Sequence, residues 1–422
     1  MNKKHQIQKI LDELIKVYSP KMEYDEYFNY RIYLNILFGI LHNTIKGKTL
    51  EQKKSLLEKA FERFYRYKKH TWAFFDKALK IEWKKRQKIK FKPYYVLFLL
   101  YINNRIPSFL KNRNYFIICG NRFYLKSLTY IRKNYNFKAI ESKLYDIKTY
   151  FYPNHFNLSQ FIFVESKIFA PDPYAALHEI FVYYELFRAI LNFSNNFCVL
   201  TEQWETRSSV NSFLPSPLYF IFDARKRKLL HYAYEVGWYK YDRLNIRHFR
   251  NKLFKLLIEL FENKPHPHTV THLIMNALIK YGRSLDSLDW ESNFLKLWQT
   301  LELITLASQD EPIKTTKIRL KKLFPSTLKW EGAIDFISTL RNKLVHEGVF
   351  PQEEMFPLTL LKYIVENAIY QLLILKKKNI LTFQDLINFY KYVNLSKEEL
   401  SQKKKIIDFI VAFKNSTSVS II

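Results

Sequence analysis

The chain has little glycine and almost no sulfur. Seven glycines, two cysteines and four methionines occur in 422 residues. So little glycine disfavours a nucleotide-binding α/β fold built on Gly-rich loops and favours helices. Two cysteines, Cys119 and Cys198, cannot form a disulfide framework or by themselves a thiolate zinc site, which fits a reducing compartment. The opening "MNKKHQIQKILDELIKVY" lacks the apolar stretch of a signal peptide. The longest apolar run, "YYVLFLLYI" (Tyr94–Ile102), is too short to span a bilayer. These absences predict a soluble, cytoplasmic chain with no membrane partner.

Positive charge and aromatics are abundant. Lys plus Arg number 68 against 39 for Asp plus Glu, a formal net charge of +29. Such a surplus attracts polyanions, nucleic acid foremost. AT-rich coding DNA would by itself enrich Lys, Asn, Ile, Tyr and Phe, and accounts for part of the bias. Hydrophobic residues make up 48% and aromatics 17%, enough for a substantial core and too much for a disordered chain.

The expected fold is mainly α. Residues 1–110 form a helical N-terminal region, 111–235 a small mixed α+β region, and 240–422 a helical bundle. In the first, "SLLEKAFERFYRYKKHTWAFFDKALKIEWKKRQKIKF" repeats apolar residues at three- and four-residue spacing. It ends in a basic run, Lys84 to Lys92, flanked by Trp83 and Phe91. That run is either a solvated helix face or a phosphate-tracking strip. In the second region, "NYFIICGNRFYL" reads as a hairpin turning at Gly120-Asn121, and "FIFVESKIF" and "LYFIFDARKRKLLHYAYEV" read as strands. "PYAALHEIFVYYELFRAILNF" between them is helical. In the third, "DWESNFLKLWQTLELITLAS" places Phe294, Leu297, Trp298, Leu301 and Ile304 on one stripe. "WEGAIDFISTLRNKLVHE" follows and stops at Gly348.

RNA can supply its own nucleophile, the 2′-hydroxyl. A metal-free ribonuclease then needs a base, a cation for the anionic transition state, and an acid for the leaving oxygen. His and Arg suit these roles. Arg followed after four to six residues by His occurs at Arg63/His70, Arg225/His231, Arg243/His248 and Arg341/His346. Spacing alone therefore decides nothing. Arg63/His70 lies in a charged helix, and a strand would stretch Arg225/His231 apart. Arg243/His248 sits in a short segment entering a helix. Arg341/His346 differs. Asn342 is one turn before His346 and shares its face. Leu340, Leu344 and Val345 can anchor the helix, and His346 falls at its end. Arg341 and His346 nonetheless differ by about 140° in azimuth and about 7.5 Å in rise on a regular helix. Convergence requires a helix loosened near Gly348 or a second copy of the chain. A twofold dimer would bring two His and two Arg to one cleft.

"LRNKLVHEG" after "FLKLWQTLELIT" resembles the HEPN superfamily, in particular its Apea-like branch, over about Arg243 to Leu375. The resemblance implies a four- or five-helix bundle, a homodimer and metal-independent endoribonuclease activity. It makes Arg341 and His346 the catalytic pair, Asn342 the polar residue after the Arg, and Glu302 a supporting group. Lys343, Arg319, Lys321 and Lys322 are the expected RNA contacts. No metal or other cofactor is implied. The implied setting is an effector or toxin of prokaryotic antiviral defence, with a phage-derived or host protein as trigger. A non-catalytic module that binds RNA or a partner protein, as sensor or scaffold, is the alternative.

Other constellations are weaker. His266, His268 and His272 in "KPHPHTVTH" lack a flanking carboxylate and straddle Pro267. His178-Glu179 lacks the second His of a zinc-protease helix, because position 182 is Val.

Overall fold

The computed structural model describes residues 3–19, 24–41, 45, 50–87, 91–101, 115–148, 158–198, 211, 213–216, 218–234, 249–286, 289–307, 312–324, 327–348 and 356–417. The chain is mainly helical with a small antiparallel sheet, as expected. It divides into two compact units, Met1–Tyr94 with Phe169–Glu179, and Tyr95–Ile168 with Ile180–Ile422.

The first unit contains α1 (Lys3–Val17), α2 (Tyr24–Leu41), α3 (Leu50–Tyr65) and α4 (Trp72–Gln87). Their three- and four-residue apolar spacing builds one core, with Leu11, Leu37, Phe61, Phe64, Phe75 and Ala78 buried in it. Gln8 closes the α3–α4 connection. Its amide donates to His70 O at 2.8 Å and accepts from Trp72 N at 2.7 Å. Trp83, at the edge of the basic run, packs against this core rather than standing free. Residues 88–90 of that run lie outside the described residues.

The helical region expected over 1–110 stops at Gln87. The run read from its apolarity as Tyr94–Ile102 is strand β1 (Lys92–Tyr101). Val96 to Leu100 are all buried, so both faces are covered and no period-two pattern marks the strand. Among the described residues six strands lie in the order β2-β3-β4-β1-β5-β6, with β2 (Phe116–Ile118), β3 (Asn121–Lys126), β4 (Phe161–Ala170), β5 (Leu218–Phe222) and β6 (Leu229–Tyr234). Between β3 and β4 come α5 (Leu128–Asn134) and α6 (Phe137–Lys148). Ile131, Ile140 and Leu144 of these helices pack on Leu97, Phe163 and Phe220 of the sheet.

The β2–β3 hairpin is present, but its turn is one residue earlier than expected. Ile118 pairs with Asn121, leaving Cys119 and Gly120 as the loop. Both have positive φ, 51° and 80°, as a type I′ turn demands. The turn donates Cys119 N to Phe261 O at 2.6 Å and Gly120 N to Glu262 O at 2.8 Å. Burial pushes the Cys119 thiol up to about 11. Both cysteines are free.

Helix α7 (Pro173–Asn196) leads into the helical part of the second unit. That part comprises α8 (Asn251–Leu260), α9 (Val270–Ser284), α10 (Trp290–Ile304), α11 (Pro312–Leu323), α12 (Leu328–Glu347), α13 (Phe356–Lys377), α14 (Phe383–Tyr392) and α15 (Lys397–Thr417). Helices α9, α10 and α13 pack mutually, and α11 and α12 pack on α10 and α13. Phe294, Leu297, Trp298, Leu301 and Ile304 are all buried, so the stripe read in the sequence is the core face of α10. Asp289 caps this helix by accepting from Ser292 N at 3.1 Å. Helix α13 is long and apolar enough to cross a bilayer by length and composition alone. Yet Lys362 and Glu366 pair at 2.7 Å within it, both buried.

The described residues of 111–235, apart from Phe169–Glu179, lie in the second unit with those of 240–422, and there a buried polar network joins α7 to the helices that follow. Arg188, 1% exposed, donates to both oxygens of Asp286 at 2.8 and 2.7 Å and to both of Glu185 at 3.0 and 2.9 Å. Asn211 donates to Asp286 and to Gly282 O, each at 2.6 Å. At Gly282 a Cβ would come within 3.2 Å of the Ala189 Cβ, so glycine permits the close approach of α7 and α9. Lys362 donates to Asn196 O at 2.8 Å, while Glu366 accepts from Cys198 N at 2.9 Å and from the Tyr281 hydroxyl.

Candidate functional site

The candidate motif sits at the end of α12. Thr327 caps the helix start by accepting from Trp330 N at 3.5 Å. Trp330 lies parallel to Phe324 at 4.3 Å and to Tyr363 at 5.6 Å, which ties the first turn to the neighbouring helices. Ile334, Ile337, Ser338 and Leu344 form the buried face. The helix ends at Gly348, whose φ of 66° and ψ of 17° are left-handed, with Gly348 N donating to Leu344 O at 3.2 Å.

The helix is thus regular through His346. It does not loosen toward Gly348, so that route to convergence of Arg341 and His346 is closed within one chain. Arg341 stands one turn after Ile337 and two after Ile334, in line with the packed face, and is half-buried. Its Nε is buried and has no hydrogen-bond partner among the described residues. Asn342 and His346 share an exposed side turned away from that face, one turn apart. No hydrogen bond among the described residues joins them. Lys343 is also exposed. Leu344 is core, as expected, and Leu340 is half-buried. Val345, expected in the core, is 46% exposed. From Asn342 onward Leu344 alone is buried, so the last turn projects beyond the packed surface and presents His346 to solvent.

A left-handed residue without a glycine costs about 1–2 kcal/mol. A Cβ at Gly348 would meet nothing within 4 Å, so backbone strain is the whole effect of Gly348→Ala. Thermal unfolding should show a loss of about 1 kcal/mol, and faster amide exchange should be confined to the last turn of α12. Unchanged exchange at Leu344–Glu347 would refute the capping role.

The other expected site residues are engaged inside the chain. Glu302 accepts from the Trp298 indole at 2.7 Å, one turn away on α10, and so satisfies a buried donor. Arg319 donates to Thr305 O at 2.7 Å and Leu306 O at 2.6 Å, closing the C-terminal end of α10, and lies 5.7 Å from the Tyr390 ring centre. Lys321 pairs with Asp335 at 2.9 Å, and Lys317 does the same. Their hydrogen bonds hold the Asp335 carboxyl below the usual range. Lys322 donates to Tyr390 O at 2.7 Å. Of the four expected RNA contacts, only Lys343 has no described partner.

The decoys are committed elsewhere. Arg63 pairs with Glu82, and His70 Nε2 lies 3.2 Å from Tyr65 O. Arg225 lies in an exposed turn and His231 in β6, paired with Ile221. Arg243 and His248 lie outside the described residues. No group of three or more metal-ligating side chains occurs among the described residues. His272 instead receives a helix cap, its N–H donating to Thr269 Oγ1 at 3.2 Å. Burial, then His268 and Lys264, push its imidazole below the usual value.

Sequence reasoning missed the Arg188 network. Glu185 and Arg188 stand three apart, a spacing that marks a surface ion pair as readily as a buried one. Only their position within an apolar helix hinted at burial.

No family model matches the chain, and neither a curated protein nor a solved structure does.

Proposed function

We propose that the chain is a metal-independent endoribonuclease of HEPN type, working as a homodimer in the cytoplasm as an effector or toxin of antiviral defence. The observation that carries the reading is the end of α12. A capped, regular helix presents His346 and Asn342 to solvent, with Arg341 one residue before Asn342. In the proposed reaction a His takes the proton from the 2′-hydroxyl, whose oxygen attacks the adjacent phosphorus. Arg341 steadies the added negative charge, and a second His, from the partner copy, protonates the departing 5′-oxygen. The products are a 2′,3′-cyclic phosphate and a 5′-hydroxyl end. A net charge of +29 draws the polyanion in.

The test is the chemistry of the ends. Purified protein incubated with RNA in EDTA should leave 2′,3′-cyclic phosphate termini, and His346→Ala should leave the RNA whole. Cleavage that requires a divalent metal would overturn the reading. So would undiminished cleavage by the variant.

The non-catalytic reading gains weight from one feature. On the regular helix Arg341 and His346 point about 140° apart, which suits separate contacts to a ligand. In that case both residues affect RNA binding while the RNA ends stay intact.

A further inference from the structure

The sheet of the second unit carries a row of rings and cations on the face that α5 and α6 pack against. Side chains two apart on a strand share a face, which puts Arg122, Tyr124 and Lys126 of β3 together. Directly paired residues also share a face, and Tyr124 pairs with Glu165 of β4. Two residues on from Glu165, Lys167 is exposed on that same face.

The contacts run on without a break. The Arg122 guanidinium lies 5.2 Å from the centre of the Tyr115 ring, and Tyr115 lies 5.6 Å from Tyr124. The Lys126 ammonium lies 5.1 Å from Tyr124 and 4.3 Å from Tyr130. The Lys226 ammonium follows, 5.6 Å from Tyr130 and 4.1 Å from Tyr95. Glu165 anchors Lys226 at 2.7 Å and accepts from the Tyr135 hydroxyl. Lys226 itself has a φ of 61°, in the turn between β5 and β6. That turn presents Arg225, Arg227 and Lys228 to solvent. Asp223 is occupied within it, accepting from Arg227 N at 2.9 Å and Lys228 N at 3.1 Å.

We propose that this sheet face binds single-stranded nucleic acid, with bases on the tyrosine rings and phosphates on the intervening cations. A single strand repeats one anion and one flat aromatic face per nucleotide, and the row sets three cations among four rings. Arg122 and Lys126 have no carboxylate partner among the described residues, and the two nearby carboxylates, Glu165 and Asp223, are engaged. A duplex hides its base faces, so charge alone would hold it. An acidic protein partner would use the cations but gain little from the rings. The inference extends the ribonuclease reading by naming where a substrate strand would lie, and it uses none of that reading's residues.

The test uses the full chain carrying His346→Ala, so that RNA is not consumed, and fluorescence anisotropy with labelled U12 RNA and a 12-bp RNA duplex. The single strand should bind at least about ten times more tightly than the duplex. Tyr124→Ala should weaken single-strand binding by roughly 5- to 100-fold, while Tyr124→Phe, which keeps the ring, should stay within about twofold. Arg122→Gln with Lys126→Gln should flatten the slope of log K against log salt by about 1.4, roughly 0.7 per lost phosphate contact. Equal affinity for duplex and single strand overturns the proposal. So does Tyr124→Ala binding like the parent protein at an unchanged melting temperature. The two readings fail separately. Loss of binding in the sheet variants with no cleavage by the native chain refutes the ribonuclease alone. Cleavage that depends on His346 but ignores Tyr124, Arg122 and Lys126 refutes the sheet site alone.

Discussion

Arg188→Ala is expected to destabilise the second unit by about 3–5 kcal/mol, a large part of a typical folding free energy. The guanidinium is buried and divides its donors between Glu185 and Asp286, with one more to Phe213 O at 3.2 Å. Removing it leaves two carboxylates facing each other in a poorly solvated site. Arg283, 3.2 Å from Glu185, can compensate only one of them. Arg188→Lys should fall in between, because an ammonium keeps the charge but cannot form paired bonds to two carboxylates. Urea unfolding followed with amide exchange in α7 and α9 would measure the loss. A change below about 1 kcal/mol would mean that the network contributes no more than a surface pair.

The same site fixes a pH dependence. Burial alone would raise the Glu185 carboxyl, but Arg188 and then Arg283 more than offset it and hold it below its ordinary range. A carboxyl lowered in the folded state contributes stability above its unfolded value, about 4.3, and loses it as pH falls through the folded value. The share of stability contributed by Glu185 should therefore be lost on acidification below about pH 4, while Asp286, whose carboxyl burial raises despite Arg188, contributes in the opposite sense. The deficit of Arg188→Ala should shrink over the same window, because its uncompensated carboxylates protonate readily.

The second large effect is on RNA cleavage. Under the proposed mechanism His346→Ala should slow it by about 10²- to 10⁴-fold, the usual worth of a general acid or base. Arg341→Ala should cost about 10²- to 10³-fold through lost stabilisation of the anionic transition state. The helix geometry adds a sharper expectation. Because α12 stays regular to Glu347, one copy cannot aim both side chains at one phosphate along the same direction. Adding His346→Ala chains to the native chain should then lower cleavage more steeply than in proportion to the native fraction, since a mixed dimer keeps only one of the two His that the reaction uses. Mixed dimers confirmed by light scattering, yet with activity falling only in proportion to the native fraction, would sink the shared-cleft mechanism.

Local chemistry made much of this legible. The α10 stripe could be read because five apolar residues at helical spacing admit one core face. The end of α12 could be read because Gly348 is the residue that best tolerates a left-handed cap. The hairpin was recognisable, though its turn slipped from Gly120-Asn121 to Cys119-Gly120. The side chains favoured Asn, while strand pairing placed Cys119 at a positive φ. Strand β1 was illegible, since a run buried on both faces has no alternation to read.

The candidate cations show the limit most clearly. Arg319, Lys321, Lys322 and Lys343 look equivalent as letters in a basic chain. Arg319 closes a helix end, Lys321 meets Asp335 and Lys322 meets a carbonyl on α14, while Lys343 remains in water. The sequence by itself determined the helical class, the cap at Gly348, the shared face of Asn342 and His346, and the charge surplus, because each depends on residues a few positions apart. Tertiary structure alone decided which charges face solvent, that Val345 is exposed, that Arg188 is sealed between two acids, and that Tyr115, Tyr95 and Lys226 join Tyr124 in one row. Those outcomes depend on partners about a hundred residues away or more, such as Asp286 for Arg188 and Tyr95 for Lys226, whose approach no local spacing encodes.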